Sequence, residues 1–209
     1  MIEPTYGILL AGGLSRRMGG GDKTLRAIGG RSILGRVADI LGPQCTGLVL
    51  NANGDPQRFA SFGLPVVADD VPGFAGPLAG ILAGLDWLAQ KAPGVVWAVS
   101  VAGDTPFIPA DLVVRLHAER SAAEAQLACA ASAGRTHPVV GLWPVALRHD
   151  LRAFLVDEGQ HKVGSFTARY RRAEVAWPDA PYDPFFNANA PQDIDEADAI
   201  ARRLAEHGS

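Results

Sequence analysis

The chain has 209 residues, a length that suits one sizeable α/β domain and hardly two. Hydrophobic residues make up 48% of it, which excludes a disordered chain. A formal net charge of -3 argues against a general nucleic-acid binder, a class that is usually basic.

The first apolar run, residues 6–11, ends in glycines and reads as a buried parallel strand. It is too short for a signal peptide, and no segment approaches the ~20 apolar residues of a spanning helix. A soluble, cytoplasmic chain is expected, with no membrane partner. Cys45 and Cys129 lie in separate apolar contexts and form neither a CxxC nor a zinc ligand set, so both are expected to be buried thiols in a reducing compartment.

After a glycine-rich stretch, Ser32 is placed to cap a helix carrying Ile33, Leu34, Val37, Ile40 and Leu41 at helical spacing. Residues 47–50 and 64–68 read as buried strands ending at Asn51 and at Asp69-Asp70. Gly76-Pro77 opens a helix with Leu78, Ile81, Leu82, Leu85 and Leu88 on its face. Residues 95–101 form the longest strand run, which leads to Gly103-Asp104-Thr105-Pro106, and a helix is expected over 109–120.

Beyond it the pattern is less regular. Residues 126–131 and 138–143 read as strands around a turn at 134–137, 145–156 as a helix, and 172–177 as an edge strand. A proline-rich loop spans 178–184, and Asn189 is placed to cap a last helix with Pro191 near its first turn. His117, His149, His161 and His207 read as helix-surface residues.

Strand and helix alternate four times in the first half. That predicts a three-layer α/β/α fold with a mostly parallel, Rossmann-like sheet. Polar and glycine residues gather at the strand ends: Gly12-Gly13, Asn51, Asp69 and Gly103-Asp104. Ligands bind at the carboxyl ends of strands in such sheets, so one shared site is expected there.

The stretch from Leu10 to Lys23 holds five glycines, Arg16, Arg17 and a closing lysine. It is not a Walker A loop, because Asp22 separates Gly21 from Lys23, and not a Rossmann fingerprint, because the second strand ends in Asn51 rather than an acid. Glycines let backbone N–H groups approach phosphate oxygens, and Arg16, Arg17 and Lys23 can neutralise them. Asp104 directly follows a long buried strand. It is either a turn aspartate or a hard oxygen ligand for Mg²⁺, and the phosphate loop favours the metal. Asn51 and Asp69 can read a base or a ribose, or can simply make turns; Asn187 and Asn189 carry the same ambiguity. No Ser/His/Asp constellation is placed to act, and His137 stands alone before Pro138.

Leu-Ala-Gly-Gly-x-Ser-x-Arg-Met-Gly followed by Asp-Lys resembles the signature loop of nucleotidyltransferases that make nucleoside-diphosphate conjugates. Within them the chain most resembles the molybdenum cofactor guanylyltransferases. The resemblance extends through Asn51-Ala-Asn53, Asp69, Gly76-Pro-Leu-Ala-Gly80, Asp104-Thr-Pro106, His137-Pro138 and Phe186-Asn-Ala-Asn189, in order and over nearly the whole chain. It implies a single nucleotidyltransferase domain over 1–209 of the nucleotide-diphospho-sugar transferase-like type, with a nucleotide-binding half (1–120) and a pterin-binding half (121–209).

The reaction it implies is transfer of GMP from GTP to molybdenum-molybdopterin, releasing pyrophosphate. Leu10, Ala11, Gly12, Gly13, Lys23, Asn51, Asp69 and Asp104 would contact the nucleotide. Lys23, Arg17 and Asp104 would be catalytic, with Asp104 on Mg²⁺. His137, Asn187 and Asn189 would lie toward the pterin. Molybdoenzyme apoproteins or their chaperones are implied as further partners. Two departures from the resemblance are the third glycine of Gly19-Gly20-Gly21 and Gly103, a position that admits cysteine in relatives. A sister group that transfers CMP more often reads Leu-Ala-Ala-Gly and Asp-Met-Pro, so Gly12 and Thr105 favour guanine. A non-catalytic nucleotide-binding chaperone would not need Asp104 at the strand end.

Overall fold

A strand of six residues, Thr5–Leu10 (β1), sets the register on which the fold is built. The computed structural model describes residues 3–12, 22–71, 73 and 76–207. β1 lies between Gly47–Asn51 (β4) and Trp97–Ala102 (β6), parallel to both. Leu10 is opposite Asn51 on one side and Ala102 on the other. In-register parallel strands end together, so the polar residues after each emerge along a single edge.

A two-residue strand, Val66–Val67 (β5), pairs parallel with β4 and brings Asp69 to the same edge. On the other side, Arg135–Pro144 (β8) runs antiparallel to β6 and to Leu127–Ser132 (β7). Arg172–Ala176 (β9) closes that edge parallel to β7, as the edge strand expected there. The sheet order is β5-β4-β1-β6-β8-β7-β9. A hairpin of Ala27–Ile28 (β2) and Arg31–Ser32 (β3) turns through Gly29 and Gly30, whose positive φ angles of 53° and 76° favour glycine.

Helices cover both faces, as the alternating pattern requires. Ile33–Leu41 (α1) and Leu112–Ala122 (α3) bury Leu34, Val37, Leu41, Leu112 and Leu116 on one face. Pro77–Lys91 (α2), Arg148–Val156 (α4) and Val163–Thr167 (α5) bury leucines and phenylalanines on the other. Each fully buried side chain of this kind contributes roughly 1.5–3 kcal/mol, so apolar spacing decides these helices. Ser32 caps α1 as expected, its Oγ accepting from Gly35 N at 3.1 Å. Gly84 lets α2 sit against β1, since a Cβ there would meet Ile8 at 2.7 Å. The last helix, Pro191–His207 (α6), packs on the hairpin through Ala197, Ile200 and Ala201.

Several expectations are corrected. The strand expected over 64–68 pairs only through Val66–Val67. The helix expected from 109 begins at Leu112, and that expected over 145–156 opens with a 3-10 turn, Val145–Leu147. The hairpin, α5 and a 3-10 helix at Pro56–Phe62 had no clear periodicity to announce them. Asn189 does not cap α6 with its side chain. The Asp193 carboxylate accepts from the Asn189 and Ala190 N–H groups instead, at 2.7 and 2.6 Å. Cys129 is buried but Cys45 only half-buried, and burial pushes both thiols up to about 12. His161 lies in a loop rather than on a helix.

His117 is the larger correction, because it faces inward. Thr5 Oγ1 donates to Glu3 O, so it accepts from His117 Nε2 at 2.7 Å. The ring also stands edge-on to Trp97 at 5.5 Å, with Glu3 and Arg120 as its charged neighbours. Burial lowers the His117 pKa, outweighing the opposing pull of Glu3. As pH falls through about 6.5 the unfolded chain takes up this proton before the folded one does. Stability should therefore fall with pH below that point. Thermal melts from pH 8 to 5 test this; a His117→Gln variant should show a flatter slope, and an unchanged slope would remove His117 as the cause.

Candidate active site

The strand ends open onto a cleft of about 810 Å³. Leu10, Gly12, Asn51, Asn53 and Asp69 line it on one side, and Asp104, Thr105, His137, Asn187 and Asn189 on the other. Residues far apart in sequence thus share one site, for the reason of register given above.

Two of these lining residues hold Lys23, whose Nζ sits 2.5 Å from Asp104 Oδ2 and 2.6 Å from Asn189 Oδ1. Lys23 begins a 3-10 turn, Lys23–Leu25, directly after Asp22. Arg58 holds that turn in place. Its Nη1 donates to both Asp22 carboxylate oxygens at 2.7 Å, and its Nη2 to Asn53 O at 2.5 Å. The end of the glycine-rich stretch is therefore tied to the end of β4. On the other side Ala188 N donates to Asp104 O at 3.0 Å, which fixes the segment carrying Asn187 and Asn189 against Asp104. Thr105 Oγ1 donates to Asn187 Oδ1 at 2.7 Å.

The opposite wall is an amide–carboxylate lattice. Asn51 Nδ2 donates to Asp69 Oδ1 at 2.8 Å, Asn53 Nδ2 to Asp69 Oδ2 at 2.7 Å, and Asp69 N to Asn53 Oδ1 at 2.9 Å. Asn51 also donates to Val67 O at 3.2 Å, which leaves its Oδ1 beside Gly12 and Gly80. A Cβ at Gly80 would fall on that amide, so glycine lets α2 approach the strand end. Asn51 and Asp69 are thus more than turn residues: each orients the other toward the cleft.

The far wall is shaped by a break in pairing. Cys129 opposes Gly141, but Ala130 opposes His137, so Pro138, Val139 and Val140 bulge out of the ladder. Residues 136–140 all line the cleft as a result. His137 packs against Phe185 with ring centroids 5.0 Å apart, and burial lowers its pKa. Its Nε2 lies 2.7 Å from Ser132 Oγ, which donates to Asp183 Oδ1 at 2.7 Å.

Of the expected site residues, Leu10, Gly12, Asn51, Asp69, Asp104, His137, Asn187 and Asn189 line this cleft, and Lys23 reaches it through Asp104 and Asn189. Ala11 is buried; its N–H extends the sheet by donating to Asn51 O at 2.9 Å. Gly13, Arg16 and Arg17 lie outside the described residues. Asn53, Arg58, Ser132 and Asp183 were not singled out as site residues. Asn53 carries a signal in its Asn-x-Asn spacing. The other three act through contacts that no local spacing announces.

Among the described residues, no group of three or more His, Cys, Asp or Glu is placed to hold a metal alone. Asp104 offers a single carboxylate. That suits Mg²⁺, which takes one or two carboxylates and completes its shell with waters and substrate phosphates. Among the described residues no helix is long and apolar enough to cross a membrane.

Residues 7–173 match the MobA-like NTP transferase domain family. The molybdenum cofactor guanylyltransferase of Rhodopseudomonas palustris strain BisB5 is 61% identical over 199 residues, covering 95% of each chain. That of Mesorhizobium japonicum is 52% identical over 207 residues, covering 98% of this chain and 99% of its own. Among solved structures, molybdopterin-guanine dinucleotide biosynthesis protein A from Archaeoglobus fulgidus superposes with a TM-score of 0.73 at 22% identity, covering 95% of this chain and 99% of its own. The 4-diphosphocytidyl-2C-methyl-D-erythritol synthase of Anaerococcus prevotii does so at 0.71 and 13%, covering 96% and 97%. These two likenesses establish the nucleotide-diphospho-sugar transferase-like fold.

Proposed function

The chain belongs to the MobA-like NTP transferase family, among the molybdenum cofactor guanylyltransferases, and from that premise we propose that its cleft joins GTP to the terminal phosphate of molybdenum-molybdopterin. The products are molybdopterin guanine dinucleotide and pyrophosphate. The observation that carries this reading is Lys23, held between Asp104 and Asn189 in a cleft whose opposite wall is the Asn51–Asn53–Asp69 lattice.

The attacking group is a phosphate and already an anion, so no strong general base is required. The difficulty is to bring two anions together, and it is met by positioning and charge. Asn51 and Asp69, oriented by each other, hold base and sugar, while Leu10 and Gly12 let the nucleotide approach the strand edge. Lys23 exchanges its protein partners for phosphate oxygens and neutralises charge as pyrophosphate departs. Arg17, outside the described residues, brings a second cation to the same task. Asp104 would hold Mg²⁺, which when bound supplies Lewis-acid polarisation of the phosphates. Thr105 fixes Asn187, and Asn187, Asn189 and His137 face the pterin acceptor. The two free thiols, Cys45 and Cys129, support work in a reducing cytoplasm.

The test is turnover with Mg²⁺, molybdopterin and either GTP or CTP, following pyrophosphate and the dinucleotide product. GTP should be strongly preferred. Preference for CTP would move the chain to the cytidylyl sister group, and GTP binding without pyrophosphate release would make it a non-catalytic module.

A further inference from the structure

His137 is held by a hydrogen-bond chain whose polarity is determined. Asp183 Oδ1 also accepts from Phe185 N at 2.9 Å, which fixes the carboxylate in its loop. A carboxylate oxygen accepts, so the one proton of the Ser132 hydroxyl goes to Asp183. Ser132 Oγ can then only accept from His137, and Nε2 must carry a proton. Ser132 is buried at 2% exposure, so water does not compete for this proton. Burial lowers the His137 pKa, with Asp183 pulling it up and Arg135 pushing it down, which favours the neutral ring. A neutral ring with its proton on Nε2 has a bare lone pair on Nδ1. Among the described residues no hydrogen bond takes up that atom, and His137 lines the cleft.

We propose that Asp183 and Ser132 set the tautomer of His137 so that Nδ1 accepts a hydrogen bond from a ring N–H or amino group of the acceptor's heterocycle. A bare lone pair repels a phosphate oxygen. The acceptor must therefore lie with its phosphate at Lys23 and its heterocycle at His137. Ser132 and Asp183 are positioning residues that act through the ring. The proposal rests on the guanylyl-transfer reading of the cleft, but its first half is independent of activity.

Two measurements test it. In ¹⁵N-histidine-labelled protein at neutral pH, the ring ¹⁵N shifts of His137 should report a protonated Nε2 and a bare Nδ1. Ser132→Ala, which removes one atom, should yield a mixture of tautomers. A wild-type ring with its proton on Nδ1 would overturn the proposal whatever the enzyme does. In kinetics, Ser132→Ala and His137→Phe should each raise the KM for molybdopterin about 10-fold, the scale of one hydrogen bond, with the KM for GTP and kcat little changed. The phenyl ring of the second variant keeps the packing on Phe185. If the tautomer is as expected but neither variant moves the KM for molybdopterin, the assignment of the acceptor's heterocycle fails. Failure of the wild-type enzyme to make the dinucleotide would instead remove the functional reading beneath it.

Discussion

Lys23→Ala and Asp104→Ala should each lower turnover by about 100-fold or more, the scale on which a preorganised electrostatic group acts. Their effects on GTP binding should differ in sign. Removing Lys23 takes a cation from the triphosphate and leaves Asp104, only 20% exposed, facing it unneutralised. GTP binding should weaken, and without divalent cations the loss should be greatest. Removing Asp104 frees Lys23, which keeps its contact to Asn189. GTP should then bind at least as well as to the wild type in the absence of divalent cations, while turnover is lost. Titration calorimetry with GTP beside steady-state pyrophosphate release separates the two. The double variant should lose less than the product of the single losses, because residues in contact at 2.5 Å do not act independently. Near-normal dinucleotide formation by either purified, folded variant would remove it from the reaction.

The strand ends were legible because each apolar run stops at glycine, asparagine or aspartate, a change of chemistry visible within three residues. That they share one edge followed from the alternation of strand and helix alone. The pairing of Lys23 with Asp104 spans 81 positions and could be inferred only through topology. Asn189 shows a different limit. Its spacing before Pro191 suits a helix cap, yet the cation of Lys23 takes its side-chain oxygen and Asp193 supplies the cap. Local propensity lost to a tertiary charge. The bulge at Pro138, Val139 and Val140 was hidden for a related reason. An apolar run reads as continuous strand, while in the bulge the Val139 carbonyl takes a hydrogen bond from another strand, Ser100 Oγ to Val139 O at 2.5 Å. Ser132 and Asp183 lie in an alanine-rich strand and a proline-rich loop, where neither composition nor period marks them.

Trp143 should be the most costly single core position on the antiparallel side of the sheet. Its side chain is fully buried on β8, 6.4 Å from Phe166 in a near-parallel arrangement and beside Phe154. Its Nε1 donates to Ser100 Oγ at 2.8 Å, and that same hydroxyl donates to Val139 O in the bulge. The indole therefore fills the core and orients the hydroxyl that holds the cleft wall. Trp143→Ala should cost about 3–5 kcal/mol through the cavity it leaves. That is a large fraction of the 5–15 kcal/mol a folded domain typically possesses. Trp143→Phe keeps most of the volume and loses the Nε1 donor, so about 1–2 kcal/mol is expected. Urea denaturation with equal m-values reads both numbers. In the phenylalanine variant Ser100 keeps its bond to Val139 but loses the donor that orients it. The bulge should loosen, and on the proposed reading of the two walls the KM for molybdopterin should rise while the KM for GTP does not. Equal changes in both would mean that the sheet responds as a whole and that the two walls are not separately held.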